Sequence, residues 1–204
     1  MTVDEQVTIG AVPMPLRWLV APQSWSVAGE DSLEVDAGPR TDWFVDPQRA
    51  REPVLNAPVL VADSGGDFLL SARVTVDFAG TFDAGVLFVY VGEGAWAKLC
   101  FEYSPEREPM VVSVVTREVS DDCNSFIVDG HSVWLRVARV GQAFAFHAST
   151  DGDRWSFIRH FALAADDSLS VGFAAQSPTG EGCSVRFEQI AYEAARLGDL
   201  RSGD

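Results

Sequence analysis

The chain of 204 residues carries 30 acidic and 15 basic side chains, which give a formal net charge of −15 at pH 7. Such a charge repels phosphate backbones and anionic lipid surfaces, so nucleic acid and membranes are poor partners. With 47% hydrophobic residues, the chain is long enough to bury one complete core. We expect a single domain over residues 1–204, with the core at about 16–193, an N-terminal arm at 1–15 and a C-terminal tail at 194–204.

Targeting and cofactor signals are weak along the chain. No stretch approaches the roughly 20 apolar residues that span a bilayer, and the acidic start at residues 1–6 lacks the basic and apolar regions of a secretion signal. We therefore expect a cytoplasmic protein. The three cysteines, Cys100, Cys123 and Cys183, form no Cys-x-x-Cys pair, so we expect reduced, buried thiols and neither a metal nor a cofactor.

A period of two residues dominates the chain, whereas the helical period of 3.6 residues is almost absent. Segments of strand length, rich in β-branched and aromatic residues, lie at 24–37, 68–78, 82–91, 95–103, 110–119, 132–140, 142–149, 155–161, 169–176 and 183–192. The stretch 47–64, interrupted by Pro53 and Pro58, is predicted to be a long ordered loop. The tail after Tyr192 has a short helical pattern and polar end, and we expect it to fray.

Turn-forming residues separate these segments. Residues 92–94, 141–142 and 151–153 contain glycine in the pattern of tight hairpin turns, which predicts that neighbouring strands pair antiparallel. Ten or so strands with regular turns, and no alternation of strands with helices, favour two stacked sheets. The sequence therefore predicts an all-β protein, a two-sheet antiparallel β-sandwich of the jelly-roll kind.

Lys98 is the only lysine of the chain and lies within the predicted strand 95–103. Alternation sends Leu99 and Phe101 to one face of this strand and Lys98 and Glu102 to the other. On the same basis, the non-core faces of other strands carry small or polar side chains. These are Asp83, Gly85, Cys100, Ala143, Ala145, His147, Ser170, Gly172, Ala174 and Gln176. A sheet face of this kind predicts a polar groove; the alternatives are a solvated face and a sealed network of ion pairs.

Lys98 and Glu102 lie four residues apart, roughly 13 Å along a strand, so each needs a partner from a neighbouring strand. Asp83 is a candidate partner for Lys98 and Arg136 is one for Glu102; such pairs would form a polar network that stays ionised. The turn at 104–109 brings strand 110–119 alongside strand 95–103. Depending on register, that pairing places Ser113, Thr116 or Arg117 near the site.

Catalytic motifs are missing from the sequence. No Glu-x-Asp-x-Glu pattern of the sandwich glycosidases is present, nor a Gly-x-Ser-x-Gly motif, nor histidines at metal-binding spacing. Asp121 and Asp122 are predicted to lie in a loop. Trp43 and Trp96 lie near the polar face, where they either fill a core or stack on a sugar ring.

Several motifs, in order, resemble those of one widespread uncharacterised family. They are the segments 41–44, 83–86, 96–98 with Glu102, 113–116 with 120–121, 149–152 with Trp155, and 176–180. The resemblance covers residues 16–192 and is to a domain-of-unknown-function family that includes the fungal regulation-of-enolase proteins. It implies a concanavalin A-like lectin and glucanase fold, and it implies no defined activity.

We take noncatalytic binding of a saccharide or an anionic sugar derivative as the leading hypothesis. The candidate ligand-binding residues are Lys98, Glu102, Trp96, Asp83, Arg136, His147, Asp42, Trp43, Thr116 and Gln176. One alternative is a carbohydrate-active enzyme that uses Glu102 and Lys98. Another is a regulatory scaffold that binds a protein partner through the loop 47–64.

Overall fold

A computed structural model describes residues 6–163 and 169–204. This part of the chain forms strands and contains no helix. The strands are β1 (Leu16–Val20), β2 (Trp25–Ala28), β3 (Ser32–Ala37), β4 (Trp43–Phe44), β5 (Val54–Leu55), β6 (Val59–Ser64), β7 (Phe68–Val76), β8 (Ala84–Gly92), β9 (Ala95–Tyr103), β10 (Pro109–Arg117), β11 (Val119–Ile127), β12 (Ser132–Val140), β13 (Ala143–Ser149), β14 (Ser156–Ala162), β15 (Leu169–Gln176) and β16 (Cys183–Glu193).

Two seven-stranded antiparallel sheets stack on each other. The first sheet has the order β1-β6-β15-β8-β9-β10-β11, and the second has the order β14-β13-β12-β7-β16-β3-β2. Strands β4 and β5 form a small separate pair. The predicted β-sandwich is confirmed, and so are the hairpins at 141–142 and 151–153, where Gly141 and Gly152 adopt the positive φ angles of 60° and 85°.

The core lies between the sheets and follows the alternation predicted from sequence. In β7, Phe68, Leu70, Ala72 and Val74 are fully or almost fully buried, while the residues that alternate with them are only partly covered. In β9, Leu99 and Phe101 point into the same core. Burial of such aliphatic and aromatic side chains is the main source of stability for a fold without helices.

The N-terminal segment contributes to this core as well. Val7 and Ile9 are 2% and 0% exposed, and Val7 pairs with Leu16 at the start of β1. The expected N-terminal arm is therefore packed against the sandwich over its described residues, whereas residues 1–5 of that arm lie outside the described part. Apolar side chains at alternate positions account for this packing.

Two loop predictions were wrong. The stretch 47–64 contains the short strand β5 and the inner strand β6, which lies between β1 and β15 in the first sheet. Pro58 directly precedes β6, a position where proline costs no ladder hydrogen bond. Asp121 and Asp122 lie in β11, the edge strand of the first sheet.

The C-terminal tail does not form the frayed helical segment that we predicted. Residues 194–204 run through turns across the outer face of the second sheet, where Leu197 is 7% exposed. The Asp199 carboxylate accepts a hydrogen bond from the Arg201 amide at 2.8 Å, which shapes the final turn. The tail is thus a docked part of the fold.

All three thiols are free, as predicted; Cys100 and Cys183 are buried, but Cys123 is exposed on the edge strand β11, where we had expected burial. Among the described residues, no helix is long and apolar enough to cross a bilayer.

Candidate functional site

The outer face of the first sheet is a second apolar layer, covered by the segment 41–58. Its buried side chains are Trp43, Ala57, Val59, Val61, Ala84, Val86, Phe88, Trp96, Cys100, Val112, Val114 and Ala174. None of them is more than 4% exposed. The open groove that we predicted along this face is therefore largely filled, and its polar groups gather around Lys98 and Glu102.

Trp43 anchors the covering segment. Its ring lies edge-on to Phe88 and Trp96, with ring centroids 5.2 and 5.8 Å apart, and its indole N–H donates to the Ala57 carbonyl at 2.9 Å. Trp43 and Trp96 are 4% and 0% exposed. Both rings fill a core, which is the alternative that the sequence left open, and neither presents a free face on which a sugar ring could stack.

Lys98 is buried at the centre of this face. Its ammonium donates to Asp42 Oδ1 at 3.1 Å and to Gln176 Oε1 at 2.9 Å. Burial lowers the pKa of Lys98, but the Asp42 carboxylate and other acidic groups nearby outweigh burial and raise it above its ordinary value. The amine therefore stays charged, and Asp42 takes the place that we had assigned to Asp83.

Asp83 serves the loops at one end of the sandwich instead. Its carboxylate accepts hydrogen bonds from the amides of Ala79 and Gly80 at 2.9 and 2.7 Å, and from the Ser177 hydroxyl at 2.6 Å. The carboxylate is fully buried and has several partners, an arrangement typical of a structural anchor. Gln176 links the two regions, since its amide donates to the Phe82 carbonyl at 3.3 Å.

Glu102 is the half-buried carboxyl of the site and lies on the same face of β9 as Lys98. Burial raises the pKa of this carboxyl to about 8; Lys98 opposes the rise, while Asp42 and Asp122 add to it. Among the described residues, no hydrogen bond or ion pair uses the Glu102 carboxyl. The carboxyl is thus mostly protonated at pH 7, and it has no partner within the described part of the chain.

Thr116 holds the rim of the covered face. It lies opposite Trp96 in the register of β9 and β10, and its hydroxyl hydrogen-bonds to that of Ser120 at 2.9 Å. Ser120 in turn exchanges hydrogen bonds with the Val45 backbone, each at 2.9 Å. Thr116 therefore helps to fasten the covering segment. Ser113 pairs with Leu99, away from the Lys98 face.

Arg136 and His147 form a separate cluster in the second sheet, so the predicted pairing of Arg136 with Glu102 was wrong. The Arg136 guanidinium donates to the Gly203 carbonyl at 2.6 Å, and His147 Nε2 lies 2.7 Å from the Leu200 carbonyl. Both partners belong to the C-terminal tail. Sequence alternation had placed both side chains on a non-core face, but it did not say on which sheet.

The sequence reasoning missed one acidic neighbour of the site. Asp122 lies opposite Val114 in the register of β10 and β11, and its negative charge contributes to the raised pKa of Glu102. Because Asp122 was predicted to lie in a loop, it was not included among the residues of the polar face. Within the described residues, no group of three or more histidine, cysteine, aspartate or glutamate side chains is arranged to hold a metal ion.

The chain folds as a two-sheet antiparallel β-sandwich, which is similar to the folds of GH43 proteins and other lectin- and glucanase-like proteins. The model of the family described as protein of unknown function DUF1349 matches residues 18–195, and the chain belongs to this family. No curated protein matches the chain.

Solved structures show the same fold. A functionally unknown protein from Saccharomyces cerevisiae is 24% identical, with a TM-score of 0.80, over 89% of this chain and 96% of that chain. The GH43 BlXynB protein from Bacillus licheniformis is 16% identical, with a TM-score of 0.70, over 88% of this chain and 37% of that chain. A xylan β-1,4-xylosidase from Bacillus halodurans C-125 is 12% identical, with a TM-score of 0.64, over 79% of this chain and 32% of that chain.

Proposed function

We propose that the site around Glu102 binds a polar small ligand without catalysis, and that a neutral saccharide suits it better than an anionic sugar derivative. The observation that carries this proposal is the half-buried carboxyl of Glu102, which has no hydrogen-bond partner among the described residues. A polar group that is partly removed from water and unpaired costs free energy. A ligand hydroxyl would supply the missing partner.

The charges around the site favour a neutral ligand. The Lys98 ammonium is already neutralised by Asp42 at 3.1 Å, and the Glu102 carboxyl is uncharged at pH 7 because its pKa is about 8. Asp122 adds a negative charge close by. A phosphate or carboxylate group on the ligand would meet no free cation here and would be repelled.

This proposal changes the role of Lys98. The Lys98 side chain is 3% exposed, whereas that of Asp42 is 20% exposed. Lys98 therefore acts as a positioning residue that holds Asp42 and Gln176, and the ligand contacts would come from Asp42 and Glu102 at the more open side. Asp42 accepts hydrogen bonds and neutral Glu102 both donates and accepts, which suits adjacent sugar hydroxyls.

A carbohydrate-active enzyme is the second candidate, because a carboxyl with a pKa of about 8 is protonated at pH 7 and has the form of a general acid. We also propose that the protein is cytoplasmic and that it is related to the fungal regulation-of-enolase proteins. A regulatory scaffold that binds a protein through the segment 47–64 is the third candidate.

The test is calorimetric titration at pH 7 with a panel of neutral oligosaccharides and the matching sugar phosphates. We expect a neutral sugar to bind, and its Kd to rise at least tenfold in Glu102→Leu, because Leu removes both hydrogen-bonding functions. Glu102→Gln should keep binding, since the amide also donates and accepts. Glu93→Leu, in the exposed turn between β8 and β9, is the matched control and should bind as the wild type does.

The outcomes separate the candidates. If the wild type converts a sugar and Glu102→Gln does not, the protein is an enzyme rather than a noncatalytic binding protein, since an amide cannot transfer the acid proton. Preference for the sugar phosphates would overturn the charge argument. Absence of binding across the panel, or unchanged binding in Glu102→Leu, would sink the proposal.

A further inference from the structure

The C-terminal tail is held to the second sheet by two buried polar side chains on neighbouring strands. Arg136 on β12 and His147 on β13 lie directly opposite each other, and they are 7% and 0% exposed. Each bonds a backbone carbonyl of the tail, at Gly203 and Leu200 respectively. Leu197 adds an apolar contact with Ala138 and Ala145.

The hydrogen bond to Leu200 assigns the tautomer of His147. A carbonyl only accepts, so Nε2 must carry the proton. At neutral pH the other ring nitrogen, Nδ1, then carries no proton; it is buried and has no hydrogen-bond partner in residues 6–163 and 169–204. Arg136 Nε is likewise buried without a partner. Two polar atoms beneath the tail therefore lack partners among the described residues, and none of those residues offers an acceptor for the hydrogen bond that a protonated Nδ1 would donate.

The charged residue that acts directly on His147 is the cation Arg136. Arg136 faces it from β12 and Phe157 from β14, with the ring centroid of Phe157 5.9 Å away. The other charged or titratable groups around this cluster, from the neighbouring strands and the tail, are Glu193, His160, Arg196, Asp199, Arg201 and Asp204. Asp204 and Glu193 act on Arg136, so a charge on His147 would meet the guanidinium directly.

We propose that the tail is a pH-sensitive latch: neutral His147 holds the Leu200 carbonyl, and protonation of His147 beside Arg136 releases residues 194–204 from the second sheet. Protonation would bury a second positive charge next to the guanidinium and an N–H group without an acceptor. Both changes penalise the docked state and not the undocked state, in which the ring is hydrated. Release would uncover Trp155, over whose ring the Arg136 guanidinium lies at 4.2 Å.

The direction of the pH dependence follows from the same contacts. Burial lowers the pKa of His147 below its ordinary value, and Arg136 lowers it further, while the hydrogen bond to Leu200 opposes them. His147 thus binds a proton more weakly when the tail is docked than when the tail is released. The equilibrium constant for docking of the tail is largest above the ordinary histidine pKa of about 6.5. Below that pH it falls by up to tenfold per pH unit, until the pH reaches the pKa of His147 in the docked state.

The test is hydrogen exchange of the full chain between pH 7.5 and 5, with exchange times corrected for the pH dependence of the intrinsic rate. We expect protection of residues 194–204 to fall by up to tenfold per pH unit below about 6.5, while peptides from β9 keep theirs. His147→Gln is the matched variant, because its amide can still donate to Leu200 but does not titrate. Its tail protection should not change with pH.

A constant tail protection in the wild type, or an equal loss in His147→Gln, would overturn the latch. An independent readout does not depend on the variant: the His147 ring protons in the wild type, followed by NMR, should titrate below the ordinary pKa of about 6.5. Titration at or above that value would also contradict the proposal. Should His147→Gln misfold, this titration and the wild-type exchange profile still decide the matter.

Discussion

The ammonium of Lys98 lies 3.1 Å from Asp42 Oδ1, although the two residues are 56 positions apart in the chain. This ion pair ties the segment that covers the first sheet to a central strand of that sheet. The Lys98 and Asp42 side chains are 3% and 20% exposed, so only Asp42 reaches toward water. The pair thus explains why a lysine can lie within a buried strand: its charge is fully used by the fold.

Replacing Lys98 by methionine should destabilise the protein by about 2–4 kcal/mol, because Asp42 and Gln176 lose their donor while remaining covered. Chemical denaturation measures the change. Asp63→Asn is the control, since it breaks an exposed ion pair with Arg17 and should cost less than about 1 kcal/mol. Equal effects of the two substitutions would contradict a structural role for the Lys98 pair.

Glu102→Gln should change how stability depends on pH. The folded pKa of Glu102, about 8, lies above the ordinary value of 4.5, so the folded state binds the proton more tightly. The stabilising contribution is fully present below pH 4.5 and is lost as the pH rises to about 8. As the pH rises over this range, the free energy of unfolding of Glu102→Gln should therefore increase relative to that of the wild type by on the order of 1–2 kcal/mol. Denaturation curves at pH 5, 7 and 9 measure it, and parallel pH profiles would refute the raised pKa.

Gly85→Ala should destabilise the sandwich by about 1–3 kcal/mol, the cost of overpacking. Gly85 faces the core, so its predicted place on the non-core face was wrong. An added Cβ would collide with Val74 Cγ1, and would come within 2.6 Å of Val185 Cγ1, both across the core from β8. Gly94→Ala is the matched control because nothing lies within 4 Å of its added Cβ. Thermal unfolding should show a clear drop in Tm for the first variant only; similar Tm values would mean that the sheets can move apart at no cost.

Gly203→Ala should undock the C-terminal tail at every pH. An added Cβ would lie 2.7 Å from Arg136 Nη2 and 2.8 Å from Trp155 Cβ, and the φ angle of 83° disfavours alanine. Gly198→Ala is the control, since its added Cβ would only touch the Asp204 carbonyl at 3.6 Å. Hydrogen exchange should reveal a loss of tail protection in Gly203→Ala alone. Intact protection there would show that Gly203 is not the close contact of the tail.

Where one face of a strand is buried and the other is not, the sequence predicted the element well. β7 shows the expected alternation. β9 is covered on both faces, and it pairs with β8 and β10 across the predicted turns. β6 escaped prediction because both of its faces are buried: Leu60 enters the main core and Val61 the covered layer. A strand buried on two faces carries no period of two residues.

The sequence by itself determined the class of fold, the non-core position of Lys98 and Glu102, and the unpaired state of the three cysteines, because these follow from local alternation, turn chemistry and composition. Only the tertiary structure decided that Asp42 rather than Asp83 pairs with Lys98. It also decided that Arg136 and His147 lie in the second sheet, beneath the C-terminal tail. Strand order and the path of a covering loop depend on contacts between residues far apart in the chain. A pattern of neighbouring residues does not encode which distant segment completes a buried charge.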